Sequence, residues 1–113
     1  MAATADIFHA TQDNFELDVL EASFTTPVLV DFWAPWCGPC RSMAPQLEAA
    51  TARLEPNVRV AKIDVQANQE AGSAHGIQSI PTLALFHGGR EIGRTQGAMG
   101  AMDIVRFAAE ALR

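Results

Sequence analysis

An apolar run that ends just before two closely spaced cysteines constrains this chain most. Residues 28–33 are apolar except for Asp31, which is the pattern of a strand buried on both faces. Cys37 and Cys40, the only cysteines in the sequence, follow a short turn, and apolar residues then recur at helical spacing. The segment therefore predicts a strand, a turn and a helix over about residues 38–54.

The spacing of the two cysteines predicts a redox pair. Residues three apart on a helix lie on one face with Cβ atoms about 5–6 Å apart, and a disulfide needs Cα atoms within about 4.4–6.8 Å. A bridge between Cys37 and Cys40 would enclose only the dipeptide between them, so it would restrict the unfolded chain little and would be a poor structural staple. A zinc site is the alternative, but it needs four ligands, and His9, His75 and His87 are not paired at metal-binding spacing.

Length and composition predict one small soluble domain over residues 1–113. The chain is 49% hydrophobic and 19% charged, with a formal net charge of −5, so it can bury a core without covalent staples. The negative charge disfavours nucleic acid and anionic membranes as partners. The N-terminus lacks a signal peptide pattern, and no segment approaches the ~20 apolar residues of a membrane span. We therefore expect a cytoplasmic protein, for which a monomer suffices and in which a cysteine pair is more often catalytic than structural.

Hydrophobic periodicity along the chain alternates between strands and helices. Asp13 is the expected cap of the first helix, Lys62 shares a strand face with two valines, and Gly88-Gly89 predicts a hairpin turn. This βαβαβαββα order predicts an α/β fold with parallel strands joined by right-handed crossovers and an antiparallel edge. The other strands are predicted over residues 7–8, 58–65, 82–86 and 91–95, and the other helices over 14–22, 69–75 and from about 101.

The motifs and their order resemble the thioredoxin family from about Ile7 to Leu112. In chain order they are DFWAPWCGPC, MAP, VAKIDV, GIQSIPTLALF, a GG hairpin and a QGA turn. The resemblance implies the thioredoxin fold, with a central five-stranded mixed β-sheet flanked by four α-helices. It also implies protein disulfide reduction without a bound cofactor, since NADPH would act only indirectly through a reductase.

Three positions depart from the family pattern. Gly100 stands where relatives usually have a Ser or Thr cap, His75 where they often have Tyr or Phe, and Gln66 where they often have Asp. These departures bear on fine tuning and partner preference rather than on the chemistry. All three histidines are expected at surface or minor packing positions.

The two cysteines are expected to have different roles. Cys37 lies at the start of a helix, where free N–H groups and the helix dipole favour a thiolate, so it would attack the substrate disulfide. Cys40 lies one turn further in and would resolve the mixed disulfide. Asp31 should have a raised pKa from desolvation and could serve as the general base for Cys40, with Lys62 pairing with it and opposing the rise. The alternative for Asp31 is a buried ion pair or capping carboxylate with no catalytic role.

Gly38, Pro39 and Pro81 are expected to tune the redox pair. The resemblance implies that the Gly-Pro dipeptide tunes the potential, and Gly-Pro is similar to the dipeptide of the reducing members rather than of oxidants or isomerases. It also implies a cis Ile80–Pro81 bond that packs the proline ring beside Cys37. The alternative is an ordinary trans proline at the start of a strand.

A flat apolar surface around the cysteines is the expected substrate site, and we call it the docking patch. An extended substrate segment would pair there with the exposed backbone of Ile80, a form of β-augmentation. The alternative for each side chain is simple packing, which we expect for Trp33. The docking patch consists of Trp36, Gly38, Ile80, Pro81, Gly97 and Ala98.

The leading interpretation is a small cytosolic dithiol carrier. The resemblance implies that thioredoxin reductase, an NADPH-dependent flavoprotein, reduces it, and that it passes electrons to clients such as ribonucleotide, methionine sulfoxide and peroxide reductases. One alternative is an oxidant or isomerase, which the CGPC motif and the lack of an export signal disfavour. Another is a non-catalytic binding module that docks onto a larger complex.

Overall fold

The computed structural model describes residues 6–113, in which a five-stranded sheet lies between two layers of helices. A first helical segment, between the first two strands, is a π-helix (Glu16–Glu21) continued by a 3₁₀-helix (Ala22–Phe24). The α-helices are α1 (Gly38–Leu54), α2 (Gln69–Ala74) and α3 (Ala101–Ala111). The strands are β1 (Ile7–His9), β2 (Val28–Trp33), β3 (Arg59–Asp64), β4 (Thr82–His87) and β5 (Arg90–Gln96).

The sheet is mixed, with the strands in the order β1-β3-β2-β4-β5. β3 pairs in parallel with β1 and β2, whereas β4 pairs antiparallel with β2 and with β5. The predicted α/β fold with a central five-stranded mixed sheet and an antiparallel edge is therefore confirmed. The predicted helices are also found, but the first is a π-helix and a 3₁₀-helix instead of an α-helix.

β2 lies at the centre of the sheet and contributes to hydrophobic cores on both faces. Its residues 28–32 are at most 1% exposed, as the continuous apolar run predicted. Because side chains alternate along a strand, Val30 and Phe32 pack on the face covered by the first helical segment and α2. Leu29 packs on the face covered by α1 and α3. Asp31, two residues from Leu29, therefore points to the α1 side.

The turn before the first helical segment is held by a pair of residues that the sequence analysis missed. The Thr11 N–H donates to Asn14 Oδ1 at 2.8 Å, and the Asn14 N–H donates to Thr11 Oγ1 at 3.3 Å. This reciprocal pair has the geometry of a capping box, with Asn in place of the usual Glu or Gln. The predicted Asp13 cap is wrong, because Phe15 is the N-cap residue of the segment and no side chain accepts a capping hydrogen bond there.

The β4–β5 hairpin turns at two glycines with positive φ, as predicted. Gly88 has φ +67° and Gly89 has φ +82°, which is the backbone of a mirror-image hairpin turn. The ring of Phe24, at the end of the first helical segment, lies over Gly89, where an added Cβ would be 2.5 Å from a ring carbon. The hairpin is thus held against the first helical segment by contact with a glycine.

The N-terminus of α3 is capped by a side chain from α1. Gly100 is the N-cap residue and has no side chain to accept a hydrogen bond. Instead, Gln46 Oε1 accepts a hydrogen bond from the Ala101 N–H at 3.0 Å. A residue of the neighbouring helix therefore takes the place of the Ser or Thr cap that the sequence lacks.

Candidate active site

Cys37 and Cys40 form a disulfide at the N-terminus of α1. Their Cα atoms are 5.2 Å apart, and both residues are buried, while the flanking Trp36 and Pro39 are exposed. Cys37 is the N-cap of the helix, and its Sγ accepts a hydrogen bond from the Cys40 N–H at 3.2 Å. In the reduced protein, the same N–H and the positive end of the helix would favour a thiolate on Cys37.

The Ile80–Pro81 segment lies directly beside this disulfide. The peptide bond between the two residues is cis, which confirms the expected isomer. The Ile80 carbonyl oxygen is 3.8 Å from Cys37 Sγ, and within residues 6–113 the Ile80 N–H has no hydrogen-bond partner. The Gly97 N–H donates to the Pro81 carbonyl at 2.8 Å. The structure therefore brings Cys37, Ile80, Pro81 and Gly97 together, as the sequence predicted.

The rest of the predicted docking patch is exposed next to these residues. Trp36 is 66% exposed, an unusual value for so large an apolar side chain. Gly38, which follows Cys37 in the chain, and Ala98, which follows Gly97, are also exposed. Trp36 is thus placed as expected, whereas its role in substrate binding stays a prediction.

Asp31 is a buried carboxyl group without a hydrogen-bond partner. The residue is 1% exposed, and neither carboxylate oxygen has a partner within residues 6–113. Burial raises the pKa of Asp31 to about 7, and the positive charge of Lys62 partly opposes this rise. The predicted direction of both effects on this pKa is confirmed.

Lys62 does not form the direct ion pair with Asp31 that we expected. The two residues are opposite each other across β2 and β3, but no nitrogen–oxygen contact between them falls within 4.0 Å, and only two other salt bridges are found in residues 6–113. Instead, Lys62 Nζ lies 4.5 Å from the centroid of the Trp33 ring. This cation–π contact was missed, because the sequence shows strand alternation but not the direction in which a lysine bends.

Trp33 lies between the Lys62 ammonium and the disulfide. Its half-buried ring packs against the cluster formed by Ala34, Cys37 and Cys40. Its Nε1 is buried and has no hydrogen-bond partner within the described residues. Trp33 was predicted to be a core residue, and its packing agrees. In addition to the cysteine cluster, it also contacts the Lys62 ammonium.

Comparison with known proteins supports the motif-based assignment. The thioredoxin family model matches residues 6–110. The chain belongs to the thioredoxin family. It is 41% identical to Thioredoxin 1 of Nostoc sp., with 88% of each chain covered. It is 45% identical to the thioredoxin of Mycolicibacterium smegmatis, over 90% of this chain and 91% of that protein. It is also 44% identical to part of the bifunctional thioredoxin reductase/thioredoxin of Mycobacterium leprae, with 85% of this chain and 20% of that protein covered.

The family and the cysteine geometry together establish the activity of this chain. It is a protein-disulfide oxidoreductase, and its redox-active group is the Cys37–Cys40 pair. Thiol–disulfide exchange of this kind is carried out by the side chains themselves, through a mixed disulfide. The predicted dithiol reductase function is therefore confirmed.

His75 lies in an aromatic cluster on one face of the sheet. Its ring packs among three phenylalanines, with centroid distances of 4.6 Å to Phe15 and 5.7 Å to both Phe32 and Phe86. Burial lowers the pKa of His75, with a raising contribution from Glu91 and a lowering one from Arg94. This environment agrees with the minor packing position that was one of the two expectations for His75, and the family preference for Tyr or Phe there already indicated aromatic neighbours.

The remaining predicted features fall outside this site. His9 and His87 are exposed, as expected. In the described part of the chain, no three His, Cys, Asp or Glu side chains are grouped as metal ligands would be. Within residues 6–113, no helix has both the length and the apolar character required to cross a membrane.

Proposed function

We propose that Cys37 attacks substrate disulfides and that Cys40 resolves the resulting mixed disulfide. The Cys37 thiolate forms a bond to one substrate sulfur, and the other substrate sulfur leaves as a thiolate that takes a proton from solvent. Cys40 then attacks Cys37, so that the Cys37–substrate bond breaks and the second substrate thiol is released. The observation that carries this assignment is the hydrogen bond from the Cys40 N–H to Cys37 Sγ, because it favours negative charge on Cys37 alone.

Asp31 is the proton acceptor for the second step. Its carboxylate takes the proton of the Cys40 thiol, directly or through a water, before Cys40 attacks. A pKa of about 7 suits this role, because a base whose pKa is near the ambient pH is ionised often enough and still accepts a proton readily. Lys62 assists as the cation that moderates the rise in the Asp31 pKa.

The docking patch binds extended substrate segments. The Ile80 N–H lacks a partner within residues 6–113, so it is free to pair with a substrate backbone. Exposed Trp36 supplies apolar contact area beside it. Gly38 and Pro39 between the cysteines, with Pro81 against Cys37, tune the potential of the pair.

Thioredoxin reductase is the partner that restores the dithiol, and NADPH is the indirect electron source. Support comes from the Mycobacterium leprae relative, in which a thioredoxin reductase and a thioredoxin form one bifunctional protein. Ribonucleotide, methionine sulfoxide and peroxide reductases are the proposed clients. The protein acts as a single domain over residues 1–113, as a monomer in the cytoplasm, where the reducing environment maintains the dithiol.

Trapping with a disulfide peptide that carries a chromophoric thiol tests the assignment of the two cysteines. Cys40→Ser should accumulate a covalent peptide adduct after release of one thiol equivalent, because the resolving sulfur is missing. Cys37→Ser is the matched control and should form little adduct at neutral pH. The measurement is intact-protein mass spectrometry with the released chromophore, and an equal or larger adduct yield from Cys37→Ser would reverse the two roles.

A further inference from the structure

The cation beside Asp31 is held by an aromatic ring. The parallel register sets Asp31 opposite Lys62 and Trp33 opposite Asp64. Paired residues of neighbouring strands share a face, and so do residues two apart on one strand. Asp31, Trp33 and Lys62 therefore all lie on the α1 face, where the Lys62 ammonium contacts the Trp33 ring and not the carboxylate.

This arrangement is unusual because Asp31 is a buried carboxyl group whose oxygens have no partner, although a cation lies nearby. Both of its oxygens are buried without a hydrogen bond within residues 6–113. A buried, unpaired carboxylate attracts a nearby cation strongly, so Lys62 must be restrained elsewhere. Trp33 supplies that restraint, since indole is the best aromatic face for an ammonium group.

We propose that Trp33 is a positioning residue for the resolving step, because its indole face holds the Lys62 ammonium near Asp31 but outside ion-pair contact with the carboxylate. A cation in direct contact would keep the carboxylate ionised and make it a weaker base. With the ammonium held on the ring, Asp31 keeps its affinity for a proton. This inference rests on the proposed role of Asp31 as the base for Cys40.

Three other titratable groups face this cluster. His9 of β1 and Glu48 of α1 line a cleft of about 270 Å³ together with Lys62. Asp64 of β3 already accepts hydrogen bonds from two backbone N–H groups of the following turn. Glu48 is exposed and hydrated, whereas Asp31 is desolvated. We therefore expect Lys62, once released from the ring, to move to Asp31.

The test is a pH titration of the Asp31 carboxyl carbon by ¹³C NMR in the oxidised protein. Trp33→Leu should lower the Asp31 pKa by about one unit, a tenfold loss of proton affinity, since an opposite charge in contact lowers a carboxyl pKa by about 1–3 units. Trp33→Phe, which keeps a weaker aromatic face, should lower it less. Lys62→Met should raise it, and Trp33→Leu added to Lys62→Met should then have no further lowering effect.

The double variant makes the proposal falsifiable. If Trp33→Leu lowers the Asp31 pKa equally with and without Lys62, the cause is water entry and the proposal is wrong. An unchanged or raised pKa in Trp33→Leu would also overturn it, since Lys62 would then not have moved to Asp31. Amide spectra of each variant verify the fold, and Trp33→Phe provides the conservative change if Trp33→Leu fails to fold.

The role of Asp31 is tested separately by single-turnover kinetics of mixed-disulfide resolution. Asp31→Asn should slow resolution and remove its dependence on a group that titrates near neutrality. An unchanged resolution rate in Asp31→Asn would contradict the general-base role while leaving the measured coupling of Trp33, Lys62 and Asp31 intact. The two failures are therefore distinguishable.

Discussion

Asp31 is a carboxyl group in β2, a strand in which every other residue except the half-buried Trp33 is buried. Its neighbours in β2 are among the least exposed residues of the described chain, so the carboxylate loses its hydration and gains no hydrogen bond in return. Such a position costs stability whenever the group is ionised. An apolar residue at position 31 would pack better against these neighbours. A chemical role therefore explains the presence of Asp31 better than packing does.

Removal of the Asp31 charge should stabilise the fold at neutral and higher pH. The folded-state pKa of about 7 lies above the unfolded value of 3.8, so the folded state binds the proton more tightly and loses stability as pH rises between these values. Asp31→Asn should therefore match the parent near pH 4 and exceed it by up to about 4 kcal/mol above pH 7. Denaturant unfolding of the oxidised protein from pH 4 to pH 8 measures this difference.

Glu110→Gln is the matched control for that experiment. Glu110 is an exposed carboxyl on α3, so Glu110→Gln should change the unfolding free energy by no more than about 0.5 kcal/mol across this range. A parallel pH dependence in the parent and in Asp31→Asn would contradict the idea that Asp31 titrates near neutrality in the folded protein.

At the scale of secondary structure, the β4–β5 hairpin depends on its two glycines for different reasons. Both have positive φ, which an L-residue adopts only at a cost. Gly88 has no atom within 4 Å of an added Cβ, whereas Gly89 lies under the Phe24 ring. The first glycine is thus required by the backbone alone, and the second also by the first helical segment.

Alanine at the two hairpin positions should separate these effects. Gly88→Ala should lower the free energy of unfolding by about 1–2 kcal/mol, the usual cost of a left-handed backbone. Gly89→Ala should lower it further, because the Phe24 ring must also move. Chemical denaturation measures both, and Phe24→Ala is the control background, in which the extra cost should disappear. Equal losses for the two glycines in the parent would show that the Phe24 contact contributes nothing.

At the scale of the whole molecule, His75 connects the sheet to the helical layer formed by the first helical segment and α2. Its ring contacts Phe15 before the first helical segment, Phe32 of β2 and Phe86 of β4, while it directly follows α2. Arg94 of β5 donates hydrogen bonds to the carbonyl oxygens of His75 and Gly76. The aromatic cluster thus joins helices and sheet around His75, whose imidazole can gain a positive charge by protonation.

His75→Phe should make the protein more resistant to acid. Burial lowers the folded-state pKa of His75 below 6.5, so the unfolded state binds the proton more readily. The parent therefore loses stability as pH falls below 6.5. The variant should be more stable than the parent by a larger margin at pH 5 than at pH 8, as measured by thermal unfolding at each pH.

The exposed His87 provides the comparison. His87→Gln should retain the loss of stability of the parent in acid, because the exposed His87 side chain lies outside the aromatic cluster around His75. If His75→Phe gains no more stability at pH 5 than at pH 8, the aromatic cluster does not disfavour the charged imidazole.

The sequence predicted most of the fold and of the site, because both depend on local patterns. α1 was predicted over 38–54 and found at Gly38–Leu54. Its two signals, the cysteine turn and the helical spacing of apolar residues, both lie within this one segment of the sequence. The Asp13 cap and the Lys62–Asp31 ion pair were wrong. Each of these depends on which of several nearby side chains makes a contact, and periodicity does not determine that choice.

The sequence by itself determined the element order, the redox pair and the family, since strand alternation, helical spacing and the CGPC turn are properties of neighbouring residues. The tertiary structure decided the electrostatics of the site. Only the pairing of β3 with β2 places Lys62 near Asp31, and only the contact with the Trp33 ring determines the position of the Lys62 ammonium. The physical reason is that the pKa of a buried group depends on distances and desolvation, which arise when segments far apart in the chain come together.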